Sequence, residues 1–223
     1  MVLEIISVNF HRNKRLIFDN FNLKLAKSQI IILIGDNGVG KSSLLDLATG
    51  MLKPEKGEIK INKVPVEEID SDKKKIFTYL PHKDSLKDYL TVEENLENWI
   101  NISNNLSKKK DIFNSLKFFN MHEMIDNPLN NLSHGQRKKV SLTKLLLTQS
   151  KLWILDEPFN GLDVSSVKKC ETLLKRHIKS QGSVILSSHI NLNIKGSKKF
   201  VLKRPRENLQ RQKIKFNSWE DMR

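Results

Sequence analysis

One stretch, IIILIGDNGVGKSS from Ile30 to Ser43, limits the possible folds more than any other part of the chain. Ile30 to Ile34 is an unbroken apolar run, the mark of a strand covered on both faces. Gly35-x4-Gly40-Lys41-Ser42 follows at once, and Ser42 to Thr49 is helical, with Gly50 near its end. Strand, glycine loop and helix in this order form a phosphate-holding loop. The glycines let the backbone turn so that amides of Gly35, Asp36, Asn37, Gly38, Val39, Gly40, Lys41, Ser42 and Ser43 can face an anion. The helix N-terminus adds positive potential. Lys41 would neutralise β and γ phosphates, and the Ser42 hydroxyl would ligate Mg²⁺.

The rest of the chain supplies the elements such a loop needs. Leu3–Val8 and Phe21–Leu25 alternate like half-buried strands. Gly57–Ile61, Ile76–Leu80, Leu152–Leu155 and Val184–Leu186 are further short strands, and Ser71–Lys75 is a polar loop before the second of these. Thr91–Ile100 and Asp111–Phe119 are helical patterns separated by the polar residues 103–110, which makes about 83–148 a helical insertion. Val164, Val167, Cys170, Leu173, Leu174 and Ile178 fall on one face of a later helix. Strands alternating with helices predict an α/β fold with a mainly parallel core sheet.

Composition then excludes several classes. With 223 residues the chain suits one domain with a lobe or tail. No apolar run reaches the roughly 18 residues of a membrane span, and the opening residues lack the pattern of a secretion leader. The single cysteine, Cys170, excludes an internal disulfide framework and sits on an apolar stripe as an inert core thiol. Lys plus Arg outnumber Asp plus Glu by 39 to 25, for a net charge of +14. The accompanying richness in Asn and Ile points to compositional bias more than to a dedicated nucleic-acid surface, and the charge favours contact with an anionic membrane face. From Lys195 onward ten basic residues face three acidic ones, which suits either a solvated extension or docking on a partner.

LWILDEP places Asp156 at the C-terminal edge of a buried strand, where ligands sit in open α/β sheets. Asp156 can hold the metal shell, and Glu157 can orient or deprotonate an attacking water. LSHGQ, Leu132 to Gln136, is by itself a helix start, with Ser133 as cap and Gln136 completing a capping box. In the order phosphate loop, LSHGQ, LDEP, the set resembles the ATP-binding cassette family, whose signature is usually LSGGQ. The resemblance runs to about Lys203. It implies an ABC-type nucleotide-binding domain over residues 1–203, with N-terminal antiparallel strands and a helical subdomain, and a basic tail at 204–223. It further implies ATP and Mg²⁺ as ligands and a second copy in a head-to-tail sandwich. There Ser133, Gly135 and Gln136 would complete the partner's ATP site. Asp163 in NGLD matches the family's loop aspartate, and His189 in VILSSHI matches the histidine that contacts the γ-phosphate.

The chain also departs from that pattern. His134 replaces a signature glycine. His82, eight residues before Leu90, stands where the family carries a glutamine that touches Mg²⁺ or the attacking water. A neutral imidazole can accept from a metal-bound water or ligate weakly, so His82 is both a catalytic and a metal-ligand candidate. The adenine-stacking aromatic has no plain equivalent: Phe10, His11 and Arg12 form the candidate cluster, with Phe10 and Arg12 preferred. YLPHKDSLKDYLTVEENL is similar to the haem-exporter branch of the family, used in cytochrome c maturation. That resemblance implies an ATPase subunit on the cytoplasmic face of the cell membrane, working with integral membrane permease subunits that handle haem. ATPase motifs carry no cargo information, so a transporter for another cargo is the alternative. A nucleic-acid ATPase of the chromosome-maintenance type needs a long coiled coil, and only about 90 residues without sustained heptads separate Ser42 from Leu132. No nucleic-acid partner is expected.

Overall fold

The computed structural model describes residues 2–69, 76–103, 109–189, 192, 194 and 196–205. The described residues form two sheets and a helical lobe. Strands β1 (Leu3–Arg12), β2 (Arg15–Leu25), β4 (Lys56–Ile61) and β5 (Val64–Pro65) make an antiparallel sheet in the order β2-β1-β4-β5. Strands β3 (Ile30–Ile34), β6 (Phe77–Leu80), β7 (Leu152–Leu155), β8 (Ser183–Ser187) and β9 (Lys198–Val201) make the core sheet in the order β6-β7-β8-β3-β9. Every pairing described in it is parallel, in keeping with the α/β expectation. Helices α1 (Lys41–Ala48) and α5 (Val164–Lys179) accompany the core sheet, while α2 (Val92–Ile102), α3 (Lys109–Phe118) and α4 (His134–Leu147) build the lobe.

Period-two alternation divides the interior into two cores. Ile30 and Ile32 of β3, Trp153 and Leu155 of β7, and Val184 and Leu186 of β8 pack toward the side that includes the helical lobe. Ile31, Leu33, Leu152, Ile154 and Ile185 pack with α1 and the antiparallel sheet. Both faces of the sheet are therefore covered, which is why its strands carry continuous apolar runs. Cys170 is buried at 2% exposure, and burial pushes its thiol up to about 12, consistent with an inert core residue.

Three features differ from the sequence expectation. The first hairpin is longer than its alternating segments. Bulges between Ile5 and Val8 and between Val8 and Phe10 interrupt the period, and Asn13 and Lys14 turn the chain with φ of 50° and 64°. Second, part of the basic segment read as either a solvated extension or a docking segment is structural: Lys198–Val201 pairs parallel to β3 as an edge strand, and Leu202 beyond it is buried. Its lysines suit an edge position, where charge discourages further pairing. The short β5 was not anticipated. The polar loop at 71–75 and the tail from 206 lie outside the described residues.

Candidate functional site

The core sheet ends β3, β6, β7 and β8 at one edge, and the candidate residues gather there. Gly40 leads into α1 with φ of 109°, and a Cβ on it would lie 2.5 Å from Ile17 Cγ2, so only glycine fits the turn. Lys41 is 6% exposed, and its ammonium donates to the carbonyls of Gly35 at 2.8 Å and Asp36 at 3.0 Å. The cation is thus drawn back across the loop that precedes it. One cleft is lined by Arg12, Asn37, Gly38, Gly40, Lys41 and Ser42, with Ile17, Ser43 and Glu157 beside them. Gly35 lies on a neighbouring cleft with His189, while Val39 is buried in the core. Asp36 contributes its carbonyl.

The adenine candidates separate. Phe10 is 8% exposed, opposite Phe18 in the hairpin, and belongs to the core beside Ile17 and Phe18. The structure therefore does not bring Phe10 to the cleft: its ring is packed in the core, and the register shift between Phe10 and His11 interrupts the alternation that would give Phe10 and Arg12 the same facing. Arg12 does line the cleft and donates from Nη1 to Ser43 Oγ at 3.0 Å. His11 points to Glu55 instead, with Nδ1 2.8 Å from Oε2.

Around Glu157 the geometry is tight. Asp156 is 2% exposed at the end of β7, and its Oδ1 accepts a 2.6 Å hydrogen bond from Ser187 Oγ. The same Ser187 oxygen accepts from the Glu157 amide at 2.8 Å. Glu157 adopts φ of 45°, a left-handed conformation that costs a non-glycine residue roughly 1–3 kcal/mol. The Ser187 contact helps hold it there. His189 Nε2 lies 2.8 Å from Glu157 Oε1, and His82 Nδ1 lies 3.4 Å from Oε2. Two imidazoles thus flank one carboxylate. His82 meets Glu157 in this arrangement. Ser187 was missed from sequence. Its only signal was a polar residue closing an apolar strand, which ordinary strand ends share.

Buried Asp156 and the Ser42 hydroxyl are oxygen donors of the type Mg²⁺ takes, and few protein ligands suit an ion that keeps phosphate and water in its shell. Among the described residues no group of three or more His, Cys, Asp or Glu could hold a metal without such help.

The signature turn is built differently. Ser133 Oγ accepts from the Gln136 amide at 3.3 Å, and Gln136 Oε1 accepts from the Ser133 amide at 2.8 Å. This reciprocal cap leaves the amides of the first two helical residues, His134 and Gly135, without intrahelical acceptors. Ser133 and His134 are exposed, and neither they nor Gly135 or Gln136 line the phosphate-loop cleft of their own chain. His134 rests on Gly161, which has φ of 78°: a Cβ there would meet His134 Nδ1 at 2.7 Å. Asp163 caps α5, accepting from the Ser166 amide at 2.8 Å and from Ser165 Oγ at 2.6 Å. Its other oxygen meets Lys139 Nζ at 2.9 Å and Ser166 Oγ at 2.9 Å. The Lys139 contact and the serine hydrogen bonds hold its carboxyl well below the ordinary range. Asp163 is thereby engaged within its own chain, tying α5 to α4.

Comparison with known proteins gives the family and the fold. Residues 18–160 match the family model described as ABC transporter. The chain is 35% identical over 192 residues to the cytochrome c biogenesis ATP-binding export protein CcmA of Pseudomonas fluorescens, covering 86% of this chain and 90% of that one. It is 34% identical over 202 residues to the protein of that name from Reclinomonas americana, covering 90% of each. Among solved structures, an ABC transporter ATP-binding protein from Pyrococcus furiosus superposes with a TM-score of 0.78 at 27% identity, over 91% of this chain and 98% of that one. An ATP-binding cassette solved as a dimer with ADP and phosphate shares the fold, with a TM-score of 0.80 at 21% identity, over 90% and 94% of the two chains.

Proposed function

The chain belongs to the ABC transporter family, and from that membership we propose that it is the ATP-hydrolysing subunit of a membrane complex in c-type cytochrome biogenesis. It hydrolyses ATP, and integral membrane partners handle the cargo, haem. Residues 1–203 act as one nucleotide-binding domain with its helical lobe at about 83–148. No helix among the described residues is long and apolar enough to cross a membrane. We place the subunit on the membrane through its partners, at the cytoplasmic face.

The observation that carries the hydrolytic reading is the placing of Glu157: it lines the cleft of Lys41 and Ser42 while bonded to His189. The amides from Gly35 to Ser43 and the Lys41 ammonium hold the β and γ phosphates. Arg12 lies against the base or ribose, in place of an aromatic ring. Ser42 and Asp156 hold Mg²⁺, which when bound neutralises charge gathering on the phosphates. Glu157 takes a proton from the attacking water. His189 and His82 keep its carboxylate aimed, and Ser187 holds its backbone. Ser133, Gly135 and Gln136 serve the ATP of a second copy, since they lie outside the cleft of their own chain, with Asp163 bracing the loop beside them.

The names of the relatives carry the cytochrome assignment, and a deletion strain tests it. Its membranes should lack c-type cytochromes by haem-stained gel and by absorption spectrum, and the tagged subunit should co-purify with membrane proteins. Normal c-type cytochromes in that strain would refute the assignment and leave an ATPase for another cargo.

A further inference from the structure

The segment after β9 runs into the phosphate loop. β9 pairs with β3 in parallel register from Ile31 with Lys198 to Ile34 with Val201. The Leu202 amide carries the ladder one step further, donating to the Ile34 carbonyl at 2.8 Å. Ile34 directly precedes Gly35, so the edge strand stops where the loop starts. Leu202 is 4% exposed and packs in the same core as Val39, the apolar residue of the loop. Its carbonyl lies against Gly35, where a Cβ would come within 2.7 Å of the Leu202 oxygen. The backbone at Leu202 is thus held by the sheet on one side and by the loop on the other.

Two residues further on, Arg204 reaches the crest of that loop. A Cβ on Gly38 would lie 3.8 Å from Arg204 Nη2, and among the described residues no other group beyond the chain neighbours comes within 4 Å of that point. Gly38 lines the cleft shared by Lys41, Ser42 and Glu157. Having no side chain, it puts nothing of its own between the guanidinium and that cleft. The two cations differ in their commitments. Lys41 is buried and bonded to the carbonyls of Gly35 and Asp36. Arg204 is exposed, and no ion pair engages it among the described residues. Its N–H donors face solvent beside a site built for an anion. A change of rotamer is enough to swing such a long side chain across the crest.

We propose that Arg204 is a further nucleotide-binding residue, whose guanidinium takes oxygens of the terminal phosphate of ATP from the solvent side of Gly38, opposite to Lys41. The proposal rests on the ATPase reading above. A planar fork can hold two phosphate oxygens at once, which a lysine ammonium does not do. The anchored Leu202 makes this contact repeatable, because the chain reaches Arg204 from a fixed point. ATP gains more from it than ADP, which lacks the terminal phosphate. An arginine that only adorned the surface would add diffuse attraction, and the exposed neighbour Lys203 would supply that equally.

The test uses the full-length chain, Mg²⁺, a non-hydrolysable ATP analogue and ADP, with affinities read by calorimetry. Arg204→Gln should bind the ATP analogue about tenfold more weakly, the size of one hydrogen bond to a charged group. Its ADP affinity should stay within about twofold. Lys203→Gln removes the same charge one residue away and should leave both affinities within about twofold. Arg204 is exposed, so Arg204→Gln should melt with the wild-type chain, which separates lost binding from lost folding. Wild-type affinity for the ATP analogue in Arg204→Gln would overturn the proposal. So would an equal loss in Lys203→Gln, which would mean diffuse charge alone. An equal loss for ATP analogue and ADP would also overturn it, since the terminal phosphate would then not be what Arg204 meets. A wild-type chain that binds neither nucleotide would overturn the ATPase reading itself, and this proposal with it.

Discussion

The two ends of the ATP machinery in this chain are made in opposite ways. At the phosphate loop, Lys41 and Asp156 are almost wholly buried, at 6% and 2% exposure, and Glu157 is held in a strained conformation. At the signature turn, Ser133 and His134 are exposed on a capped helix end. The first end has its charges arranged before any ligand arrives, and preorganised charge in a shielded site stabilises transition states most. The second is held by its own reciprocal cap and faces solvent, which suits the half of a composite site proposed above.

Replacing the base breaks the buried end while leaving binding intact. Glu157→Gln should retain ATP affinity, lose about 10²- to 10⁴-fold in turnover, and trap a dimer. Phosphate release and light scattering after gel filtration report these outcomes; undiminished hydrolysis would mean that Glu157 is not the base.

The exposed end can be broken by a single methyl group. Gly161→Ala would place Cβ against His134 and force alanine to a positive φ, costing roughly 1–2 kcal/mol. Pairing it with His134→Gly should recover part of that loss by removing the clash. Chemical denaturation measures both. Equal losses in the single and double variants would show that the backbone conformation alone, and not the imidazole, matters there.

A smaller effect sharpens the comparison at the buried end. His82→Gln keeps a polar group beside Glu157, and turnover should stay within about tenfold of wild type. A greater loss would give the imidazole a role that an amide cannot fill. Steady-state ATPase assays with the purified chain distinguish the two.

Much of this was legible in sequence because much of it is local. The phosphate loop is one contiguous turn between a buried strand and a helix, and the Ser133 cap spans four residues. Where the reading missed, the reason was usually distance or interruption. Bulges broke the alternation of β1, which hid its last residues. The edge strand Lys198–Val201 carries too little apolar pattern to be seen before β3 is there to pair with it. Phe10 stands in sequence beside a plausible adenine contact, but its ring faces inward, and side-chain facing in a bulged strand is set by the sheet.

By itself the sequence determined the phosphate-loop motif between a buried strand and a helix, and the acidic pair that closes β7. Those properties follow from residue type and short-range geometry. Only the tertiary structure decided that Ser187 would hold both Asp156 and Glu157, 31 and 30 residues away. It likewise placed His82 and His189 on opposite oxygens of one carboxylate and brought Arg137 to Asp84 across 53 residues. Contacts of that kind carry no local signal: each arises where separate elements pack, and packing is a property of the whole core.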